Sequence, residues 1–179
     1  MKKTAFLLTL LIITAMAIAQ NHTTFLGLPF NMNLEAFSKA LEGKGYALQS
    51  SDQATKAVFT GNFGGINDME VTVLATPKSH TVYFVGLSKK SSDTGFKQQY
   101  TNMYEAYYSD LPKETTGARN FNLGSVSYDF ETHGYNLIPG KGKEKYGRVN
   151  FVFYNYGEYQ QIIVEFIDIP NKELAEKEK

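Results

Sequence analysis

Phe96, Tyr100, Met103, Tyr104, Tyr107, Tyr108 and Leu111 recur at i, i+4, i+7, i+8, i+11, i+12 and i+15. That spacing draws one wide apolar face on an α-helix and fits no strand. A helix is therefore expected over residues 93–110, ended by Pro112, whose ring cannot continue it. Its tyrosines are of a type that stacks on sugars, but an aromatic stripe at helical spacing reads first as the face packed on a sheet.

The segments around this helix carry the period of strands. Residues 57–63 place Ala57, Phe59, Gly61 and Phe63 on one face, and Met69, Val71, Val73 and Ala75 follow after a turn at Gly64-Gly65 and Asn67-Asp68. After a second turn at 77–80, Val82, Phe84 and Gly86 alternate with Tyr83, Val85 and Leu87. Three strands with short links read as an antiparallel meander. Upstream, an apolar strand over 25–30 precedes a first helix in which Leu34, Phe37 and Leu41 form a narrow stripe. Asn31 and Asn33 offer N-cap oxygens to that helix, and Gly43 and Gly45 end it.

Downstream, 112–145 is rich in Gly, Asn, Thr and Lys and yields one strand, at 125–131. Two strong strands close the chain at 147–156 and 159–169, and the charged tail from Asn171 is expected to fray. The order predicts an α+β fold: an antiparallel sheet of about six strands with two helices on one face, helix then meander, twice.

The first 19 residues are of another kind. Lys2 and Lys3 precede an apolar run over 5–13, and Ala17-Ile18-Ala19 places small residues at the −3 and −1 positions. This is the pattern of a cleaved signal peptide, with 20–179 as the mature domain. The run is shorter than the roughly 20 apolar residues a spanning helix needs, so no membrane insertion of the mature chain is expected. No Cys follows the run, so no lipid anchor is expected either.

An exported chain without cysteine has no disulfides and no thiolate chemistry. Its stability must come from packing, to which 13 Phe and 12 Tyr contribute large buried areas. The 18 Lys and Arg balance the 18 Asp and Glu, and losing Lys2 and Lys3 leaves a formal charge of −2. That balance argues against a nucleic-acid partner, which calls for a basic face.

Catalytic schemes are sparse. There is no Gly-x-Ser-x-Gly elbow, and Gly140-Lys141-Gly142-Lys143 lacks the preceding strand and the Lys-Ser/Thr ending of a phosphate loop. Of three histidines, His22 falls near the expected new N-terminus, where disorder is expected, and His80 falls in a turn. His133 alternates with Asp129 and Glu131, which puts two carboxylates and an imidazole on one strand face about 7 Å apart. Such a set suits a divalent metal or an acid/base pair, although 7 Å is wide for one ion. The same alternation is what a solvent-facing edge strand requires, and that reading ranks first.

With these residues in view, the chain resembles a group of exported Bacteroidetes proteins of unknown function. The resemblance rests on Phe25-Leu26-Gly27-Leu28-Pro29, on Phe37 and Leu41 followed by Gly43-Lys44-Gly45-Tyr46, on 59–65, and on the Tyr-containing helix. It covers residues 25–110 and implies no catalytic residue. In outline the arrangement is also similar to beta-lactamase-inhibitor-protein-like α+β folds, which bind proteins; that likeness is one of topology, and fold does not imply function.

The functional expectation is an exported, non-enzymatic binding or protein-interaction domain with no cofactor. The rivals are a small metal-binding protein or hydrolase centred on Asp129, Glu131 and His133, and a structural component of the envelope. One surface stands out. The strands at 82–87, 151–156 and 162–167 are apolar in both phases, so the sheet face away from the helices needs a cover. A binding or self-association surface is expected at Tyr83, Val85, Val152, Tyr154 and Tyr156, unless residues 112–146 fold across it. Mass spectrometry of the protein from its native envelope is expected to find a chain starting at Gln20 or within a few residues of it. An intact Met1 on the abundant species would refute export.

Overall fold

A computed structural model describes residues 22–108, 113–123, 126–137 and 145–179. The signal-like segment 1–19 lies outside them. The described chain begins with a two-residue hairpin, β1 (Thr24–Phe25) and β2 (Leu28–Pro29). Leu26 and Gly27 between them both have positive φ, 53° and 77°, as a primed hairpin turn requires. Helix α1 (Leu34–Glu42) is capped by Asn33, whose side chain accepts from the Ala36 N–H at 2.8 Å, and it buries Leu34, Phe37 and Leu41 as expected. Of the two glycines expected to end it, Gly45 is left-handed at φ 87°, whereas Gly43 stays right-handed.

Four strands follow: β3 (Ala47–Ser51), β4 (Lys56–Phe63), β5 (Ile66–Ala75) and β6 (Val82–Ser91). Then come α2 (Phe96–Tyr108) and four more strands, β7 (Lys113–Leu123), β8 (Val126–Leu137), β9 (Gly147–Asn155) and β10 (Gln160–Asp168). They form one antiparallel sheet in the order β3-β4-β5-β6-β10-β9-β8-β7. The α+β class holds, with eight strands in the described sheet rather than about six. The additions are β3, which no alternation marked, and β7, which occupies part of the stretch expected to be irregular. Helix then meander does occur twice, and the two meanders meet where β6 pairs with β10. The tight link between β4 and β5 is Gly64-Gly65 alone, both at positive φ, while Asn67 and Asp68 belong to β5.

One phase of each central strand forms the core. Phe59, Val71, Leu87, Val164, Phe151 and Phe153 are buried together with Phe37 and Leu41 of α1 and Phe96, Tyr100 and Met103 of α2. The stripe on α2 is thus the packed face, with one exception among its described side chains. Tyr107 is 47% exposed, although its ring stacks on Phe63 with centroids 4.8 Å apart. Tyr108 and Leu111 lie outside the described side chains.

The tail expected to fray is instead a third helix, α3 (Ile169–Lys177). Asp168 is its N-cap, fully buried, accepting from the Asn171 N–H at 3.0 Å and from the Thr23 N–H at 2.8 Å. Asn171 donates to the carbonyls of Phe30 and Val82, both at 3.0 Å. His22, expected to be disordered, is tied to Asp168, with Nδ1 at 3.1 Å from Oδ2. These contacts lock the start of the described chain, the start of β6 and the last helix together. Among the described residues no helix is long and apolar enough to cross a membrane.

Burial pushes the Asp168 carboxyl above its ordinary range, against the hydrogen bonds that favour its charge. Asp168→Ala removes the acceptor from two buried N–H groups and is expected to cost about 3 kcal/mol or more. Asp168→Asn keeps an acceptor and sheds the disfavoured charge, so it is expected to cost less. Urea denaturation of both variants checks the order; equal losses would show that the charge itself holds the network.

Candidate functional site

The sheet face away from the helices carries no cover among the described residues. The 113–123 and 126–137 segments do not fold across it, because they extend the sheet as β7 and β8. Strand register sets out this face as rows. Phe84, Ile167 and Arg148 lie side by side, then Gly86, Glu165 and Asn150, then Ser88, Ile163 and Val152, then Lys90, Gln161, Tyr154 and Phe130. The second row is polar and linked: Asn150 donates to Glu165 at 3.0 Å, and the Arg148 Nε–H donates to Asn150 at 2.7 Å. Gly86 leaves room for the Phe84 ring to lie on the strand, since a Cβ there would meet the ring at 2.7 Å.

The last row begins an aromatic strip. Phe130 and Tyr154 are direct cross-strand neighbours with ring centroids 5.0 Å apart. Tyr154 stacks with Tyr156 at 5.7 Å, and Tyr156 meets Tyr159 at 4.8 Å across the β9–β10 turn. The Lys90 ammonium sits 4.9 Å from the centre of the Tyr159 ring. All four rings are half-buried. Such a strip offers apolar area, aromatic edges and faces, and one cation.

Of the expected surface residues, Val152, Tyr154 and Tyr156 are brought together here. Val85 is corrected: it is fully buried on the helix side, opposite Phe166. The alternation slips at a bulge, where Leu74 pairs with Phe84 and Ala75 with Val82, leaving Tyr83 as the extra residue. Tyr83 is half-buried and lies seven residues along β6 from Lys90, about 20 Å from the strip. Phe130, Tyr159 and Lys90 were missed, because only the register of four strands reveals them.

Glu131 and His133 are placed contrary to expectation. Strand β8 is not an edge, and both residues pair opposite the core residues Phe153 and Phe151, under α2. His133 is 5% exposed, stacked on Tyr104 with centroids 4.1 Å apart. The two side chains also lean together rather than standing 7 Å apart: His133 Nε2 is 2.9 Å from Glu131 Oε1, and Lys97 Nζ of α2 is 3.2 Å from Oε2. Burial pushes the Glu131 carboxyl up, but hydrogen bonds from His133 and Lys97, with the neighbouring charge, outweigh it and hold the group below its ordinary range. With both carboxylate oxygens engaged and an ammonium alongside, this pair is a poor cation ligand. The backbone of Asp129 lies opposite Asn155, and its side chain lies outside the described ones. Among the described residues no group of three or more His, Asp or Glu is arranged to hold a metal ion.

No protein-family model, curated protein or solved structure matches this chain. The site therefore stands on its own geometry.

Because the folded carboxyl of Glu131 is held below its ordinary value of 4.5, its contribution is complete above that pH and is lost as pH falls through the folded value. Glu131→Gln is expected to cost about 1 kcal/mol at neutral pH, discounted because the pair is partly solvated. The difference from wild type is expected to shrink as pH falls from 4.5 through the lowered folded value, as linkage requires. Denaturation midpoints measured across that range decide it; a gap that does not change with pH would mean the charge is not what stabilises the link.

Proposed function

We propose that the protein is an exported, non-enzymatic binding domain that takes a protein or peptide partner, or a second copy of itself, on the open face of its sheet. The observation that carries this reading is the strip of Phe130, Tyr154, Tyr156 and Tyr159 with Lys90, half-exposed on a face that no described segment covers. Half-buried rings beside a cation match the composition of recognition surfaces, where aromatic anchors dominate the energetics. The apolar outer phase of β9 and β10 supports it too, because Val152 and Ile163 extend the strip along the sheet.

Export rests on the three-part N-terminus. The resemblance to exported Bacteroidetes proteins and the outline likeness to protein-binding inhibitor folds agree with this reading and add no site residue. A metal-dependent or hydrolytic role at Asp129, Glu131 and His133 has less support, because Glu131 is committed to His133 and Lys97.

Tyr154→Ser tests the proposal. The wild-type protein is expected to retain a partner from envelope extract or to sediment as a dimer, and the variant to lose that association. Its stability is expected to fall by no more than about 1 kcal/mol, the scale of its cross-strand ring contacts with Phe130 and Tyr156. A large fall in melting temperature of the monomer would instead make this face part of the core.

A further inference from the structure

A second surface lies on the other side of the sheet, at its edge. Between α1 and β3 runs a groove of about 460 Å³. Leu48 pairs with Phe59 and Ser51 with Ala57, both core residues, so Leu48 and Ser51 face the helix side. The bulge at Gln49 is what puts residues three apart on one side. Glu35, Lys39 and Glu42 of α1 form the facing wall, with Leu34 beneath. Leu48 is 43% exposed, one of three large apolar side chains so exposed among the described residues.

Strand β3 pairs with β4 alone, so its outer edge of backbone N–H and C=O groups has no strand partner among the described residues. Sheets usually guard such an edge with charge or proline. The sequence of the opposite edge strand, β7, carries Lys113, Glu114 and Arg119, whereas Ala47-Leu48-Gln49-Ser50-Ser51 carries neither charge nor proline. Its guards are shortness and the bulge, which limit what can be added to a short strand.

We propose that this groove binds an extended segment of another protein, added as a strand to β3 beneath α1. Charge and area choose the occupant. Lys39 is paired to Glu35 at 2.7 Å and also feels Glu42, so the two carboxylates and one ammonium leave the groove wall net negative. The segment therefore carries a basic side chain for the net-negative wall at Glu42 and an apolar one for the exposed Leu48. A second copy is disfavoured: five residues give only about 17 Å of edge, a contact one short strand long, whereas a stable dimer buries roughly 800 Å² per partner. The site is separate from the open face and does not depend on it.

Short linear peptides of random sequence, displayed on phage, are selected on the purified protein, then synthesised with a fluorescent label and measured by anisotropy. Enriched peptides are expected to combine an apolar residue with Lys or Arg. Leu48→Asp and Glu42→Lys, both exposed positions, are each expected to weaken binding about tenfold or more while melting stays unchanged. Tyr154→Ser is expected to leave it intact, which separates this proposal from the open-face reading. Hydrogen exchange is expected to show new protection at residues 47–51 on peptide addition. The proposal is overturned by absence of enrichment, by binding indifferent to both groove variants, or by protection on the open face. A dimer abolished by Leu48→Asp would also overturn it, in favour of self-pairing.

Discussion

The pairing of β6 with β10 makes one domain out of two units. Each unit is a helix followed by a four-stranded meander, and each alone is of the size at which a single core is marginal. The joint runs without a bulge from Gln160 opposite Ser91 to Ile167 opposite Phe84. Its register is fixed by burial: Val85 and Leu87 share the core phase with Phe166 and Val164, and a one-residue slip would turn all of them outward. Phe25, Phe63 and Phe166 come from the N-terminal hairpin, the first meander and the second, and their centroids lie 5.1–5.9 Å apart. That contact exists only when the joint has formed, so the least local pairing is the one on which the aromatic core depends.

The same joint explains the open face. Joining two meanders edge to edge yields a broad sheet whose helices cover one side, and β9 and β10 sit next to the centre of it. Their inner phase, Val149, Phe151, Phe153, Ile162, Val164 and Phe166, is buried. The outer phase is left to manage itself. It does so with the Arg148–Asn150–Glu165 chain across the middle, which breaks the apolar rows apart. Toward the β9–β10 turn the aromatic strip takes its place.

Where periodicity is strong, the sequence was a good guide. Strands β4, β5, β9 and β10 show a clean buried phase, and α2 a stripe with Tyr107 as its exposed exception; their predicted bounds lie within a few residues of the observed ones. Strand β3 was invisible because all five of its residues are exposed, so no alternation records a buried side. Helix α3 was invisible because it buries only Asn171 and Ala175; its anchors are hydrogen bonds through Asp168 and Asn171 to distant backbone. Composition made 171–179 look like a solvated tail, and tertiary hydrogen bonds overrode it. Tyr154 and Tyr156 were legible as outer-phase aromatics. Phe130 and Tyr159 were not, because their neighbours are set by register rather than by sequence spacing.

Glu131 and His133 were misread for a related reason, and the misreading shows how α2 is held. A polar alternation reads as a solvent face unless something on another element supplies partners. Here α2 supplies them: Lys97 reaches Glu131, Tyr104 stacks on His133, and the Tyr100 hydroxyl donates to the Phe151 carbonyl at 3.2 Å. Three residues of α2 are buried among its described side chains, a modest apolar anchorage for a helix that must span the joint. Apolar contact is tolerant of rotation, whereas these polar contacts are directional and accept α2 at one angle to β8. The second unit thus places a polar link inside and aromatic rings outside, the reverse of what burial alone would select. The inner half of that inversion fixes the helix; the outer half puts partly exposed rings on the open face, the feature on which the proposed recognition role rests.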